Sequence, residues 1–343
     1  MRPILACIVT PLALFACSGS SPSQETTGQD AGSGAEADLR HTFTAVEIEP
    51  GQEITSLCQS WTIGNDEPLY VNSVRALNSG GWHHSNWVFV PETSYAGPDG
   101  TWACSERGFT QVGGGTQGGV FFAQSTQATD EEQRLTRGAA IVLPAHARVI
   151  GSIHLMNVAA ELKRSAMTFE LHLLQRHEVE QVLNFLTITN EALVIPPRTR
   201  SLHEMTCTFP EPAHFDVHYV LPHYHGLGTA FALQAVGGTR DGAMLHESGG
   251  ALGEAWGKML EPPVPLGGAT AIRMTCGYDN PRETEVRYGL GDKEMCVFLA
   301  FTSSNKKYGG LSVGNAEIGV PDPATVPLSR AQCLLLGAAG DSL

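Results

Sequence analysis

Positive charge is scarce in this sequence: 21 Lys and Arg stand against 35 Asp and Glu, for a formal net charge of −14. That balance argues against nucleic acid or an anionic membrane surface as a partner, because both call for a basic patch. A membrane-spanning run is missing too, since the apolar stretch from Ile4 to Ala16 is too short to cross a bilayer as a helix. There is no Cys-x-x-Cys pair, which speaks against a zinc knuckle or a thioredoxin-like redox site. Long helical periodicity is scarce, and no internal repeat of short period is visible.

What is present begins with an export signal. Arg2 gives a short positive start, and the apolar run behind it ends in Leu14-Phe15-Ala16-Cys17. That ending resembles the lipobox of bacterial lipoproteins, which implies a signal peptide over 1–17 and acylation of Cys17. Phe15 is bulkier than is usual there, so plain secretion is the alternative. Residues 18–39 read as a flexible tether, because Ser18 to Asp38 holds Ser, Gly, Gln, Thr, Ala and acids with no aromatic or large aliphatic side chain. The expected location is the bacterial cell envelope, lipid-anchored and by preference at the outer membrane, or else secreted.

A chain of 343 residues suits two domains of ordinary size. Gly and Pro together supply 58 residues, which fits a turn-rich β protein. Strand-like segments run over 139–143, 148–155, 168–174, 285–288 and 295–301, with turn signals at Gly97-Pro98-Asp99-Gly100 and Gly113-Gly114-Gly115. The pattern predicts an all-β chain of two tandem antiparallel β-sandwich, jelly-roll-like domains. The charged segment Arg176 to Gln181 marks the boundary, giving an N-terminal domain over 40–176 and a C-terminal one over 177–343. Beyond Cys7 and Cys17 six cysteines remain: Cys58, Cys104, Cys207, Cys276, Cys296 and Cys333. An even count in an exported chain reads as three disulfides, and their two-and-four division favours pairing within halves.

The candidate chemistry lies in the 13 histidines. His83-His84 sits in Gly81-Trp82-His83-His84-Ser85. Adjacent strand residues point to opposite faces, so both rings reach one metal only where the backbone bends, and Gly80-Gly81 permits a bend. In Leu221-Pro222-His223-Tyr224-His225, alternate residues share a strand face and both imidazoles can meet one ion, with His214 and His218 just upstream as competitors. Met295, in Glu294-Met295-Cys296, alternates with Val297, Leu299 and Phe301 as a core residue would. Its thioether is also a soft ligand suited to Cu(I).

In this order, His-His, lone His, His-x-His and Met-Cys, the chain resembles the copper type II, ascorbate-dependent monooxygenases, to which peptidylglycine α-hydroxylating monooxygenase and dopamine β-monooxygenase belong. The likeness spans roughly residues 40 to 335 and includes Val194-Ile195-Pro196-Pro197 ahead of Cys207. It implies one copper on His83, His84 and His154 and a second on His223, His225 and Met295, the latter three also being the catalytic set. His172 competes with His154 as the lone His; the family pattern favours His154, in Ser152-Ile153-His154. The same resemblance implies disulfides Cys58–Cys104 and Cys276–Cys296, leaving Cys207 with Cys333.

The function so implied is hydroxylation of a substrate with O2, with ascorbate or another one-electron donor as reductant and two copper ions as cofactors. Where the peptide-amidating members carry an Arg and an Asn that grip the substrate carboxylate, this chain has Leu221 and Val297. That departure argues against a glycine-extended peptide and points to a small or apolar substrate. The alternative is a non-catalytic copper-binding or copper-trafficking lipoprotein. The anchor is tested by Cys17→Ser, which should release the protein from membranes; soluble wild-type protein with another mature N-terminus would rule the anchor out.

Overall fold

Short runs of β-branched and aromatic residues between turns build strands almost throughout the computed structural model, which describes residues 37–124, 127–249, 256–289, 291–318 and 326–342. The leader, Cys17 and all but the end of the tether lie outside the described residues. No helix among the described residues is long and apolar enough to cross a membrane.

The first part of the chain forms two facing sheets. One has five strands in the order Gly100–Ala103, Glu53–Thr62, Ala147–Met156, Trp82–Pro91 and Gly119–Gln124. The other runs Leu39–Thr42, Met167–Leu174, Leu69–Asn78, Ala139–Leu143 and Gln181–Val182, with Asp130–Arg134 also paired to Leu69–Asn78. Pairing is antiparallel except where Gln181–Val182 runs parallel to Ala139 and Ala140. The layers are held by aromatic rings. Trp87 of the first sheet meets Phe169 of the second edge-on at 4.8 Å between ring centroids, and Phe121 does so at 5.2 Å. All three side chains are excluded from water. Burial of such rings contributes about 1.5–3 kcal/mol each, which makes this pile a main stabiliser of the sandwich.

From Asn184 onward ten strands join a single sheet, with Met244–Gly249 at one edge and Lys258–Pro265 at the other, while Val194–Ile195 and Val286–Arg287 pair separately. A sheet of that size curls. Phe231, near one edge, comes within 6.3 Å of Phe298, near the other, across the shared core. Two pairings are parallel, Asn184–Thr189 with Lys306–Ile318 and Thr199–Ala213 with Leu328–Ala339. The expected mostly-β, sandwich-like architecture is therefore present, with these parallel contacts added.

The two cores touch. Leu183, Phe185, Tyr219, Leu299 and Phe301 pack into the same buried cluster as Trp87 and Phe169. His218 Nδ1 and the Thr136 hydroxyl share a hydrogen bond of 3.0 Å, and Lys307 Nζ donates to the Gly118 carbonyl at 2.6 Å. Residues 37–343 cluster as one compact unit. The three disulfides are Cys58–Cys104, Cys207–Cys333 and Cys276–Cys296, as the resemblance implies.

Local readings differ in three places. Gly113-Gly114-Gly115, read as a turn, lies inside the short helix Gln111–Gln117, capped by the Thr110 hydroxyl accepting from Gly113 N–H. Gly114 allows that helix to lie close to its strand, since a Cβ there would stand 2.7 Å from Val88 Cγ2. The strand expected over 285–288 shrinks to Val286–Arg287. Met295 precedes its expected strand, which runs Val297–Thr302; the Tyr278 hydroxyl takes its carbonyl out of the ladder.

Candidate metal centre

His83 and His84 sit on Trp82–Pro91, and the means by which adjacent rings share one side is a β-bulge. His84 pairs with His154 and Trp82 pairs with Leu155, so His83 is the extra residue opposite a single step of the partner strand. The extra residue breaks the strict alternation of the pleat. Gly80 and Gly81, both at positive φ, turn the chain into this bulge. The partner strand is irregular at the same level against its other neighbour, between Ile153 and Leu155, which flank His154.

Three imidazoles meet there. His83, His84 and His154 each offer a ring nitrogen, all within 4.8 Å of one another. Nδ1 of His83 stands 3.3 Å from Nδ1 of His84. Two nitrogens bound to one tetrahedral ion at about 2.0–2.1 Å stand roughly 3.3–3.4 Å apart, so this pair has the spacing of co-ligands. The same distance lets one ring donate to the other in the metal-free chain.

A second group, His84, His223 and His225, meets the same 4.8 Å limit. His223 ends the strand Asp216–His223, while His225 lies past it, so shared strand direction is not what unites them. The loop from His225 is held instead by Glu294, whose buried carboxylate accepts from the backbone N–H of His225 at 2.8 Å, Leu227 at 2.7 Å and Met295 at 3.3 Å. His225 Nδ1–H donates to the Lys293 carbonyl at 2.8 Å. Glu294 follows Asp292 and Lys293 at the head of an apolar run, so its buried role carries no local signal in the sequence.

The tautomers follow from these bonds. With Nδ1 of His225 protonated toward Lys293, Nε2 carries a lone pair, and it is buried without a hydrogen-bond partner. His154 is the mirror case. Its Nε2–H donates to Glu53 Oε1 at 2.7 Å, leaving Nδ1 buried and unpartnered. A carboxylate or carbonyl behind an imidazole whose other nitrogen is bare is the usual support of a metal-bound His. Glu53 was likewise not singled out from the sequence. The unsatisfied nitrogens and the all-imidazole donor set fit copper, and zinc equally well on donor type alone.

The remaining expected residues fall as follows. Met295 is half-buried in the loop that carries the His225 contacts, directly after Glu294. His172 lies on the other sheet, opposite Ser73, with Asp38 at 3.8 Å, away from both groups. Beside His83 is a cavity of about 130 Å³ bordered by Trp82, Met156, Val158 and Lys163. His83 is only half-buried and faces this opening.

Burial sets the charge state. It holds His84 well below the usual imidazole range, reinforced by repulsion from His223, His154, His225 and His83. Burial first and neighbouring imidazoles second push His83 down to about 4 and His223 down to about 3. Burial also lowers His154, against the pull of Glu53. Neutral rings at neutral pH are what metal ligation needs. Burial moves Glu294 the other way, raising it, while its N–H partners oppose the rise.

No family model and no curated protein matches the chain. Among solved structures it is similar to the major capsid protein P2 from bacteriophage PM2, at 9% identity over 77% of this chain and 97% of that one, with a TM-score of 0.30. A second similarity is to the cowpea mosaic virus top component, at 8% identity over 89% and 98%, with a TM-score of 0.35. A third is to the PBSX exported protein XepA, at 11% identity over 78% and 87%, with a TM-score of 0.19. At these scores the likenesses say nothing of the site's chemistry.

Two outcomes follow from this geometry. In metal-free protein the depressed histidines bind more protons unfolded than folded, so their contribution to stability is present above about pH 6.5 and is lost as pH falls toward 4. The urea midpoint should drop over that window, and His84→Gln should flatten the drop; equal slopes for both proteins would contradict it. Glu294→Gln strands at least one backbone N–H, at a cost of about 1.5–3 kcal/mol. Hydrogen exchange at His225 and Leu227 should accelerate in that variant, and unchanged rates would show that Glu294 does not hold the loop.

Proposed function

We propose that this chain is a copper-dependent monooxygenase, with one ion on His83, His84 and His154 and another on His223, His225 and Met295. The observation that supports the reading most is the convergence of five histidines from three separate stretches of chain on one buried place. Bare nitrogens on His154 and His225 point to ligation. Buried His203 and His246 each carry a bare nitrogen as well, so it is the convergence of bare nitrogens on one place that carries the reading.

Copper bound there supplies one-electron transfer and activation of O2. The protein's own groups do the rest. Glu53 and the Lys293 carbonyl hold the protons of His154 and His225 on the side away from the cluster. Glu294 fixes the loop that positions His225 and Met295. The buried surroundings keep the imidazoles unprotonated and limit water near them. The opening beside His83 gives a small electron donor access to that ring.

The substrate reading narrows. Leu221 is buried in the core shared with Phe301, so its apolar character is accounted for by packing. Val297, half-buried and paired across strands with His223, is the better-placed residue for an apolar substrate near the cluster.

The decisive experiment combines metal analysis with O2 uptake. Copper-loaded protein should retain about two ions per chain and consume O2 in the presence of ascorbate and an apolar substrate. Met295→Ile should keep the fold, costing less than about 1.5 kcal/mol if only packing changes, but should abolish uptake. One tightly held zinc, or full turnover by Met295→Ile, would overturn the assignment. Copper retention without substrate-dependent uptake in the wild type would identify a copper carrier instead.

A further inference from the structure

We infer that the five imidazoles form a single dinuclear metal centre, in which the ring of His84 gives up its remaining N–H proton to solvent as the metal binds and bridges two ions as an imidazolate. The inference rests on the metal-binding reading above and changes its geometry: two independent sites become one.

The distances carry the argument. Ring centroids of His84 lie 4.7 Å from His154, 5.1 Å from His223 and 5.8 Å from His225. His83 lies 4.6 Å from His154 and 5.8 Å from His225. His223 and His225 are 5.2 Å apart. These separations between the two ligand sets match those within each set, so no gap divides them. His84 belongs to both groups of three whose nitrogens lie within 4.8 Å. An ion held by one group therefore has a ligand of the other in its immediate surroundings.

No carboxylate is among the five ligands. Glu53, on the far nitrogen of His154, is the nearest anion bonded to any of them by a side chain. Two cations brought this close repel, and the single negative charge of the bridging imidazolate offsets only part of that repulsion. Occupation of one position is thus expected to weaken the second binding step, giving two distinct affinities from one cluster.

The packing explains how both ligand sets stay together. Leu221, Tyr219, Leu299 and Phe301, from the strands that lead to His223 and Val297, are buried in the core of the first sandwich. The Thr136–His218 hydrogen bond lies on the same strand, five residues before His223.

The test uses the full chain stripped of metal and then loaded with Cu(II), with copper measured by elemental analysis and unpaired spins counted by electron paramagnetic resonance. The inference expects about two coppers per chain, an integrated signal well below the bound copper, and a half-field line from coupled ions. In His84→Gln, that line should vanish while circular dichroism remains that of the wild type. Two coppers with full, uncoupled spin intensity would overturn the shared centre and leave the copper reading intact. One copper per chain would overturn the shared centre and, with it, the two-ion stoichiometry of the monooxygenase reading. No retained copper would overturn both. His225→Gln gives an independent check, since it too should abolish the half-field line without touching His83, His84 or His154.

Discussion

Two neighbouring imidazoles cannot aim at one point from a regular strand, and the bulge at His83 is the feature that removes this restriction. Everything else about the centre is arranged around it. The bulge exists because Trp82–Pro91 loses register with Ala147–Met156 by one residue at His154, so the third histidine stands opposite the irregularity. The adjacent glycines turn the chain at positive φ, and a Cβ on Gly81 would approach Ile48 Cδ1 and Lys163 Cδ at 3.0 Å. Larger residues there would shift both the turn and the edge of the cavity beside His83.

A cluster of five imidazoles, three buried and two half-buried, is expensive for an apolar sheet to hold. Bare ring nitrogens without partners each lose a hydrogen bond to water, which costs on the order of 1–3 kcal/mol apiece. The scaffold that offsets this is rigid on both sides. On one, the Trp87, Phe121 and Phe169 rings lock the facing sheets, and Cys58–Cys104 ties an adjacent strand. On the other, Cys276–Cys296 fixes the chain just after Met295, and the Tyr278 hydroxyl bonds to the Met295 carbonyl. Glu294 joins the two stretches of that side. With three backbone N–H partners and, among the described residues, no salt bridge to Lys or Arg, the Glu294 carboxylate is stabilised by backbone dipoles rather than by an ion pair.

How much of this could be read from the sequence depends on the range of the interaction. The sheet-rich class followed from turn residues and short β-branched runs, which are local. The histidine pairs were legible because spacing along a strand is local too, although the physical reason given for His-x-His was incomplete: His225 is off the strand, and Glu294, 69 residues away, brings it back. Glu53 was not legible, because its partner His154 is 101 residues distant and a lone exposed-looking acid at a strand start carries no signal. The disulfides came from a resemblance rather than from physics, since six cysteines permit many pairings. The triglycine run misled because Thr110 supplies a helix cap that composition alone does not weigh.

The nearness of His84 to both groups of three follows from the fold rather than from any one motif. Val297–Thr302, third from one edge of the ten-stranded sheet, buries both of its faces: Phe298 and Ala300 turn to its own core, Leu299 and Phe301 to the core of the preceding sandwich. Once those side chains are committed in both directions, the strands beside them cannot move apart without exposing Phe301 and Tyr219 to water. His223 sits at the end of one of these strands, paired with Val297. Its distance from His84 is therefore set by hydrophobic packing several residues away.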